Sequence, residues 1–299
     1  MPAESSETLH ALRRTVADIT AGLPGEDGLS VSFGVTSLDA ALAGGLACGA
    51  LHEIGPAAPL HGGAAAGFAM AMAARALRGG GQAVWIQPDF NVSEAGALYG
   101  PGLDLMGLPT PRLVILRVPR PRDALWAMEE ALKCRAAGVV VAELASEAAD
   151  LTATRRLALA AREGGGLGLI LAPTLPSPAS GGGIGGGSNP LFCSQPSTAT
   201  TRWEVASARG ARDRFGGLGP TTFALSLVKN RRGRTGQWRL SWDHHECVFA
   251  TSLSLPVAPA ARDGSPRNEL QRNPLPRNEW PRDEWQRDGQ PRPPLVRAG

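Results

Sequence analysis

Residues 50–63, ALHEIGPAAPLHGG, run a short apolar strand (50–54) into a loop rich in glycine and proline. The alanine-rich stretch 64–77, AAAGFAMAMAARAL, follows as a helix and is stopped by Gly79, Gly80 and Gly81. Strand, glycine-rich loop and helix in that order form the setting of a phosphate loop. In a working loop the backbone N–H groups and the helix N-terminus cradle phosphates, a lysine reaches the terminal phosphates and a Ser/Thr hydroxyl holds Mg²⁺. Counted from Gly55 and Pro56, the Gly-Lys-Ser/Thr triplet should fall at 60, 61 and 62. Those positions hold Leu60, His61 and Gly62, followed by Gly63, and the first lysine of the chain is Lys133. Such a loop has only backbone dipoles to offer, so it lacks the charge stabilisation on which phosphoryl transfer depends. Two readings stay open, a residual weak nucleotide pocket and an ordinary strand–helix connection, and neither calls for a bound cofactor.

Outward from this unit, strands and helices alternate. Strands are expected at 83–87 (AVWIQ), 112–118 (RLVILRV), 138–144 (GVVVAEL) and 166–172 (GLGLILA), and helices at 122–136 and 151–163. Asn91-Val92-Ser93-Glu94 has capping-box spacing and is expected to open a short helix. The strands are continuous apolar runs, the pattern of a parallel sheet covered on both faces. The fold class is therefore α/β, a mostly parallel sheet with helices on both sides. Further on, 202–208 reads as a strand, and 222–230 and 237–243 read as a hairpin with the tip RRGRTG at 231–236.

Three segments depart from this pattern, one inside the core at 31–256 and two flanking it. Residues 5–21 read as an amphipathic helix with Leu9, Leu12, Val16 and Ile19 on one stripe, closed by Pro24, Gly25 and Gly28. That helix either packs on its own domain or docks on a partner. Residues 174–200, rich in glycine, serine and proline, read as a flexible insertion. From 257 to 299 arginine recurs every five residues, from Arg262 to Arg297, in a period that fits neither helix nor strand, and this tail reads as disordered.

The chain of 299 residues has a net charge of +3. The last 38 residues hold eight arginines and six acids, which leaves 22 basic and 21 acidic residues in the rest. A near-neutral core excludes binding nucleic acid over a whole face and confines such contact to local clusters. One such cluster lies in the hairpin, where Lys229, Arg231, Arg232, Arg234 and Arg239 stand without an acid between them. They suit phosphates or an acidic partner surface, or are a solvated turn. Four cysteines lie far apart with no Cys-x-x-Cys pair, the usage of a reducing compartment. No apolar run approaches the roughly 18 residues of a membrane span and the start lacks a signal-peptide pattern, so a cytoplasmic protein is expected. His244-His245-Glu246-Cys247, if on a strand, alternates faces and cannot chelate, so no metal site is expected. Asp89 and Glu143 sit at ends of strands where a nucleotide-hydrolysing site would carry its acids, or are strand-end carboxylates facing solvent.

Taken together, these residues resemble the RecA-like proteins. The stretch 33–56, FGVTSLDAALAGGLACGALHEIGP, is similar to the segment that enters the RecA phosphate loop, and LVKNRRG at 227–233 resembles the basic hairpin closing the RecA core. The altered loop, the WIQPDF strand and the length resemble the ImuA family in particular, over about residues 5–250. The resemblance implies an accessory role in damage-inducible mutagenesis. Its implied partners are an ImuB-like Y-family polymerase homologue without catalysis, RecA and an error-prone replicative polymerase α subunit, with DNA reached through them. In RecA-like filaments the residues matching Lys229 and Arg231 face a neighbouring nucleotide. The expected role is a non-catalytic adaptor. The alternatives are a DNA-dependent ATPase with an atypical loop, and a regulator of division or recombination.

Overall fold

In the computed structural model the described residues are 29–144, 149–172, 196–210, 217 and 219–251. The expected helix at 5–21, the tail at 257–299 and residues 174–195 of the expected insertion lie outside them. The elements begin with β1 (Ser30–Val31), α1 (Thr36–Ala41) and β2 (Leu46–Ala47). They continue with β3 (Ala50–Pro56), α2 (Gly62–Leu77), β4 (Gln82–Pro88), α3 (Asp89–Ala95) and α4 (Gly100–Leu105). Then come β5 (Leu113–Val118), α5 (Pro121–Lys133), β6 (Ala137–Glu143), α6 (Leu151–Gly164) and β7 (Leu167–Leu171). The chain closes with β8 (Thr201–Ser207), β9 (Thr222–Asn230), β10 (Gly236–Asp243) and β11 (Val248–Thr251).

Among the described residues nine strands make one sheet in the order β11-β10-β9-β8-β3-β7-β6-β4-β5. From β8 to β5 every pairing is parallel, and β9, β10 and β11 extend the sheet antiparallel from β8. This is the mostly parallel, helix-flanked RecA-like sheet with a C-terminal hairpin that the sequence predicts. Side chains alternate across a strand, so β6 sends Val139 and Val141 to one core and Val140 and Ala142 to the other. The first core lies under α2, where Phe68 meets Phe33, Trp203, Phe223 and Phe249 with ring centroids 5.8–6.1 Å apart. The second lies under α5 and α6, packed by Ala124, Met128, Leu157 and Ala161.

The Ser-Leu-Asp and Gly-Gly-Leu residues before β3 have a structural job. Asp39 accepts hydrogen bonds from Phe33 N (2.7 Å), Gly34 N (3.0 Å) and the Ser32 hydroxyl (2.8 Å), which fixes the turn that drives Phe33 into the core. Gly45 has φ of 130°, and a Cβ there would lie 2.5 Å from the Val31 carbonyl, so only glycine lets the β1–β2 ribbon close.

Four expectations need correction. Helix α3 starts at Asp89, two residues before the supposed cap, because Asn91 is buried and its amide is used in a tertiary contact. Residues 196–200 are not loose: Thr200 N donates to Leu51 O, and Ala199 is fully buried. Residues 244–247 form the turn between β10 and β11, not a strand. Strand β5 is apolar but for Arg117, yet it is exposed on its inner residues, since among the described residues it pairs with β4 on one side and has no strand on the other.

Strand β3, paired with β7 and β8, is buried along most of its length. It nevertheless carries two polar residues. His52 Nε2 lies 2.9 Å from Ala47 O, a pure acceptor, so that nitrogen holds the proton. Its Nδ1 therefore accepts from the Thr201 hydroxyl at 2.8 Å, whose oxygen accepts from Trp203 Nε1 at 2.9 Å. Burial, reinforced by the nearby Arg232 charge, lowers the His52 pKa to about 4 against a backbone bond to Ala47 that raises it. Between the ordinary histidine value and about pH 4 the unfolded chain binds a proton that the folded one refuses, so stability falls as pH falls through that window. We expect denaturant titrations to lose up to about 3 kcal/mol across it, and the loss to shrink in His52→Gln; an unchanged slope in that variant would contradict the assignment.

Candidate functional site

The expected phosphate loop stands at the C-terminal end of β3, where open parallel sheets hold their ligands. Gly55 and Pro56 belong to the strand itself, and Ala57 N donates to Val205 O, prolonging its pairing with β8. Ala58 is extended (φ −150°, ψ 160°), and Pro59–His61 make a 3₁₀ turn before α2 begins at Gly62, with Gly63 next. The chain therefore continues as strand past Gly55. Leu60 is 76% exposed. The His61 ring turns onto β8: its Nδ1 accepts from Ser207 N (3.3 Å) and lies 3.0 Å from Ser207 Oγ. The first turn of α2 carries no charged side chain, so the mouth presents the helix dipole and backbone N–H groups alone.

Glu143 ends β6 beside this mouth, and its carboxylate is fully engaged. Oε1 accepts from Trp85 Nε1 (2.9 Å) and Gln87 Nε2 (2.7 Å), and Oε2 accepts from Asn91 Nδ2 (3.3 Å). Three neutral donors from β4 and α3 therefore hold it. Asp89 turns toward the sheet's edge and pairs with Arg117 on β5 at 2.9 Å, both about half exposed. The two acids thus have separate partners.

The five basic residues of the hairpin are likewise divided. Lys229 Nζ donates to Ser197 O (2.7 Å) and Oγ (3.3 Å), and Arg231 Nη2 donates to the same carbonyl (3.3 Å). Burial, and then the Arg231 charge, lowers the Lys229 pKa. Arg232 is half-buried, with its Nη1 enclosed. Arg239 lies toward the hairpin's base and donates to Arg209 O (2.9 Å). The tip itself docks on α1: Asn230 Nδ2 donates to Ala41 O (2.8 Å) and Arg234 O (2.9 Å). Arg231 and Arg234 are the exposed members.

Sequence reading missed the ion pair beneath this hairpin. Arg202 Nε donates to Glu53 Oε2 at 2.6 Å, with both side chains at least 93% buried. The signal was present, since Glu53, next to His52, interrupts an otherwise apolar central strand. In the same way Gln87, within WIQPDF, marked the donors around Glu143. Among the described residues no group of three His, Cys, Asp or Glu is placed to hold a metal. The 244–247 turn is braced instead by Asp243, which accepts from His245 N and Glu246 N, and by Arg75, which donates to Cys247 O at 2.7 Å.

No protein-family model matches the chain. Comparison with curated proteins finds the protein ImuA of two Caulobacter vibrioides strains. Each is 35% identical over 215 residues, an alignment that spans 70% of this chain and 82% of the relative.

Removing one member of a buried ion pair strands the other charge in the interior. Glu53→Gln is expected to cost about 3–5 kcal/mol in equilibrium unfolding. The double replacement Glu53→Met with Arg202→Met should recover most of that loss. A cost below about 1 kcal/mol for the single variant would show that the pair is solvated.

Proposed function

Because the chain belongs to the ImuA family, we propose that it serves damage-induced mutagenesis as a non-catalytic adaptor for lesion-bypass DNA synthesis. The observation that carries this reading is the state of the phosphate loop. Leu60 and His61 stand where a glycine and the phosphate-binding lysine belong, and His61 is turned away onto Ser207. Phosphoryl transfer is catalysed almost entirely by positioning and charge, and this mouth supplies neither a lysine nor a hydroxyl at the required places. The acid at the end of β6 is bound by Trp85, Gln87 and Asn91.

In this reading the fold is kept for its surfaces. The partners are an ImuB-like Y-family polymerase homologue, RecA and an error-prone replicative polymerase α subunit, met in the cytoplasm, with DNA reached through them. The hairpin tip supports contact with an acidic surface, since Arg231 and Arg234 are exposed and are held on a rigid base by Asn230 and Gly233.

Two measurements test this. ATP turnover by the purified chain, alone and with single-stranded DNA, should equal the buffer blank; DNA-stimulated turnover abolished by Glu143→Gln would instead establish an ATPase with an atypical loop. Charge reversal by Arg231→Glu with Arg234→Glu should weaken capture of the ImuB-like protein or RecA at least tenfold, about 1.4 kcal/mol or more, while the thermal midpoint stays put. Undiminished capture of both would remove the hairpin from the interface.

A further inference from the structure

Among the described residues β5 pairs with β4 alone, in an unbroken parallel register from Leu113 to Val118, and ends the sheet. The strand is fixed at both ends. Leu113 packs against the first core, and Val118 is buried in the second, where α5 touches β5. Between them Val114, Ile115 and Leu116 are 53%, 44% and 39% exposed. Neighbouring side chains point to opposite faces, so this exposure falls on both faces, along the free edge. Single exposed apolar side chains need no explanation, but three in a row on unpaired backbone do. Natural edge strands are blunted by shortness, an internal proline, a bulge or an uncompensated charge. Strand β5 has none of these. Pro111 and Pro119 stand outside it, its register with β4 does not shift, and its one charged residue, Arg117, is paired with Asp89 at 2.9 Å. The sheet's other edge differs: β11 is four residues long, with Phe249 buried and Val248 partly so.

We propose that β5 pairs antiparallel with β5 of a second copy of this chain, joining the two sheets about a twofold axis at Ile115. A strand laid on this edge has to offer apolar side chains on both faces and no like charge opposite Arg117. Strand β5 itself meets both conditions. A twofold axis normal to the sheet keeps each face continuous, so residues opposite one another have to share a face. With the axis at Ile115, Val114 lies opposite Leu116 of the second copy, and Arg117 lies opposite Leu113. No arginine then faces another, because Arg112 falls opposite Val118. Both arginines are also held within their own chain, Arg112 by the Gly81 carbonyl and Arg117 by Asp89. The unpaired backbone groups of one edge are satisfied by those of the other, and the twofold contact closes at two chains. A six-residue strand paired over about 20 Å buries on the order of 800 Å² in total, the size of a weak and reversible interface. The inference stands apart from the adaptor reading, because it concerns how the chain meets itself.

The test uses the full chain. In sedimentation equilibrium the average mass should climb from one chain toward two as concentration rises from about 1 to about 300 µM, the range suited to a weak interface. Ile115→Lys and, separately, Leu116→Lys put an uncompensated charge on the edge. Each should weaken the dimer at least tenfold without moving the thermal midpoint. The axis is read with Ile115→Cys in a Cys134→Ser background, which removes an exposed thiol. Residues opposite each other in an antiparallel pair have Cα atoms about 4.5–5.5 Å apart, within disulfide reach. Mild oxidation should therefore link 115 to 115, as located by mass spectrometry, at least tenfold faster than it links Leu159→Cys on the exposed face of α6 to itself. A chain that stays monomeric throughout would overturn the proposal. So would a dimer untouched by both lysine variants, which lies on another face, or equal linking at 115 and 159, which reduces the contact to collision. Shielding of the 115 thiol only when the ImuB-like protein or RecA is added assigns the edge to a different partner and overturns it as well.

Discussion

Strand β3 is hydrogen-bonded on both sides and covered on both faces, so every polar atom it carries has to find its partner inside the protein. An unpaired buried donor, acceptor or charge costs more than a typical hydrogen bond returns. That constraint explains the neighbourhood. His52 is satisfied by Ala47 and Thr201, Glu53 by Arg202, and the basic side of the arrangement continues through Lys229 and Arg231 to the Ser197 carbonyl. Strand β8 is thus joined to β3 by backbone pairing and also by charge. The hairpin built on β8 inherits its position from that joint, and so do the exposed Arg231 and Arg234.

The parallel core was readable because each of its strands is a short run of apolar residues between turn signals. Strands β6 and β7 left no doubt as to type, and the β9–β10 hairpin was marked by alternation around a glycine-containing tip. What escaped reading was tertiary. Asn91 resembles a helix cap in sequence, but its amide meets Glu143, which lies 52 residues away and which local spacing cannot find. Residues 196–200 have the composition of a linker, yet Ala199 packs into the second core and the Ser197 carbonyl accepts from Lys229 and Arg231. The apolar run of β5 promised a covered strand, because a sequence pattern reports what a strand could bury and not whether a helix is there to bury it.

The candidate site was legible in its losses more than in its gains. That Leu60 and His61 stand at the positions counted from Gly55 follows from the sequence alone. Where His61 goes, and which neutral donors hold Glu143, required coordinates. The Ser-Leu-Asp signature that pointed to the family turned out to secure Phe33 through Asp39, a structural role that needs no nucleotide. A signature of fold can thus sit beside a candidate site in sequence, and here the first is tied to the core through Asp39.

The joint between β3 and β8 also sets a schedule for the protein's making. Glu53 and Arg202 are 149 residues apart along the chain, and the pairing is parallel, so no local turn can bring the two strands together. As the chain leaves the ribosome, both flanks of β3 stay open until residues 167–171 emerge as β7, and the second flank stays open until residues 201–207 emerge. Contacts of such long sequence separation form late and slowly. The nascent polypeptide therefore carries a mostly apolar central strand with at least one open flank through much of its synthesis, the kind of surface that chaperones bind. Its closing strand arrives with the arginine that neutralises Glu53, so the interior acquires its buried charge and its counter-charge in a single late step.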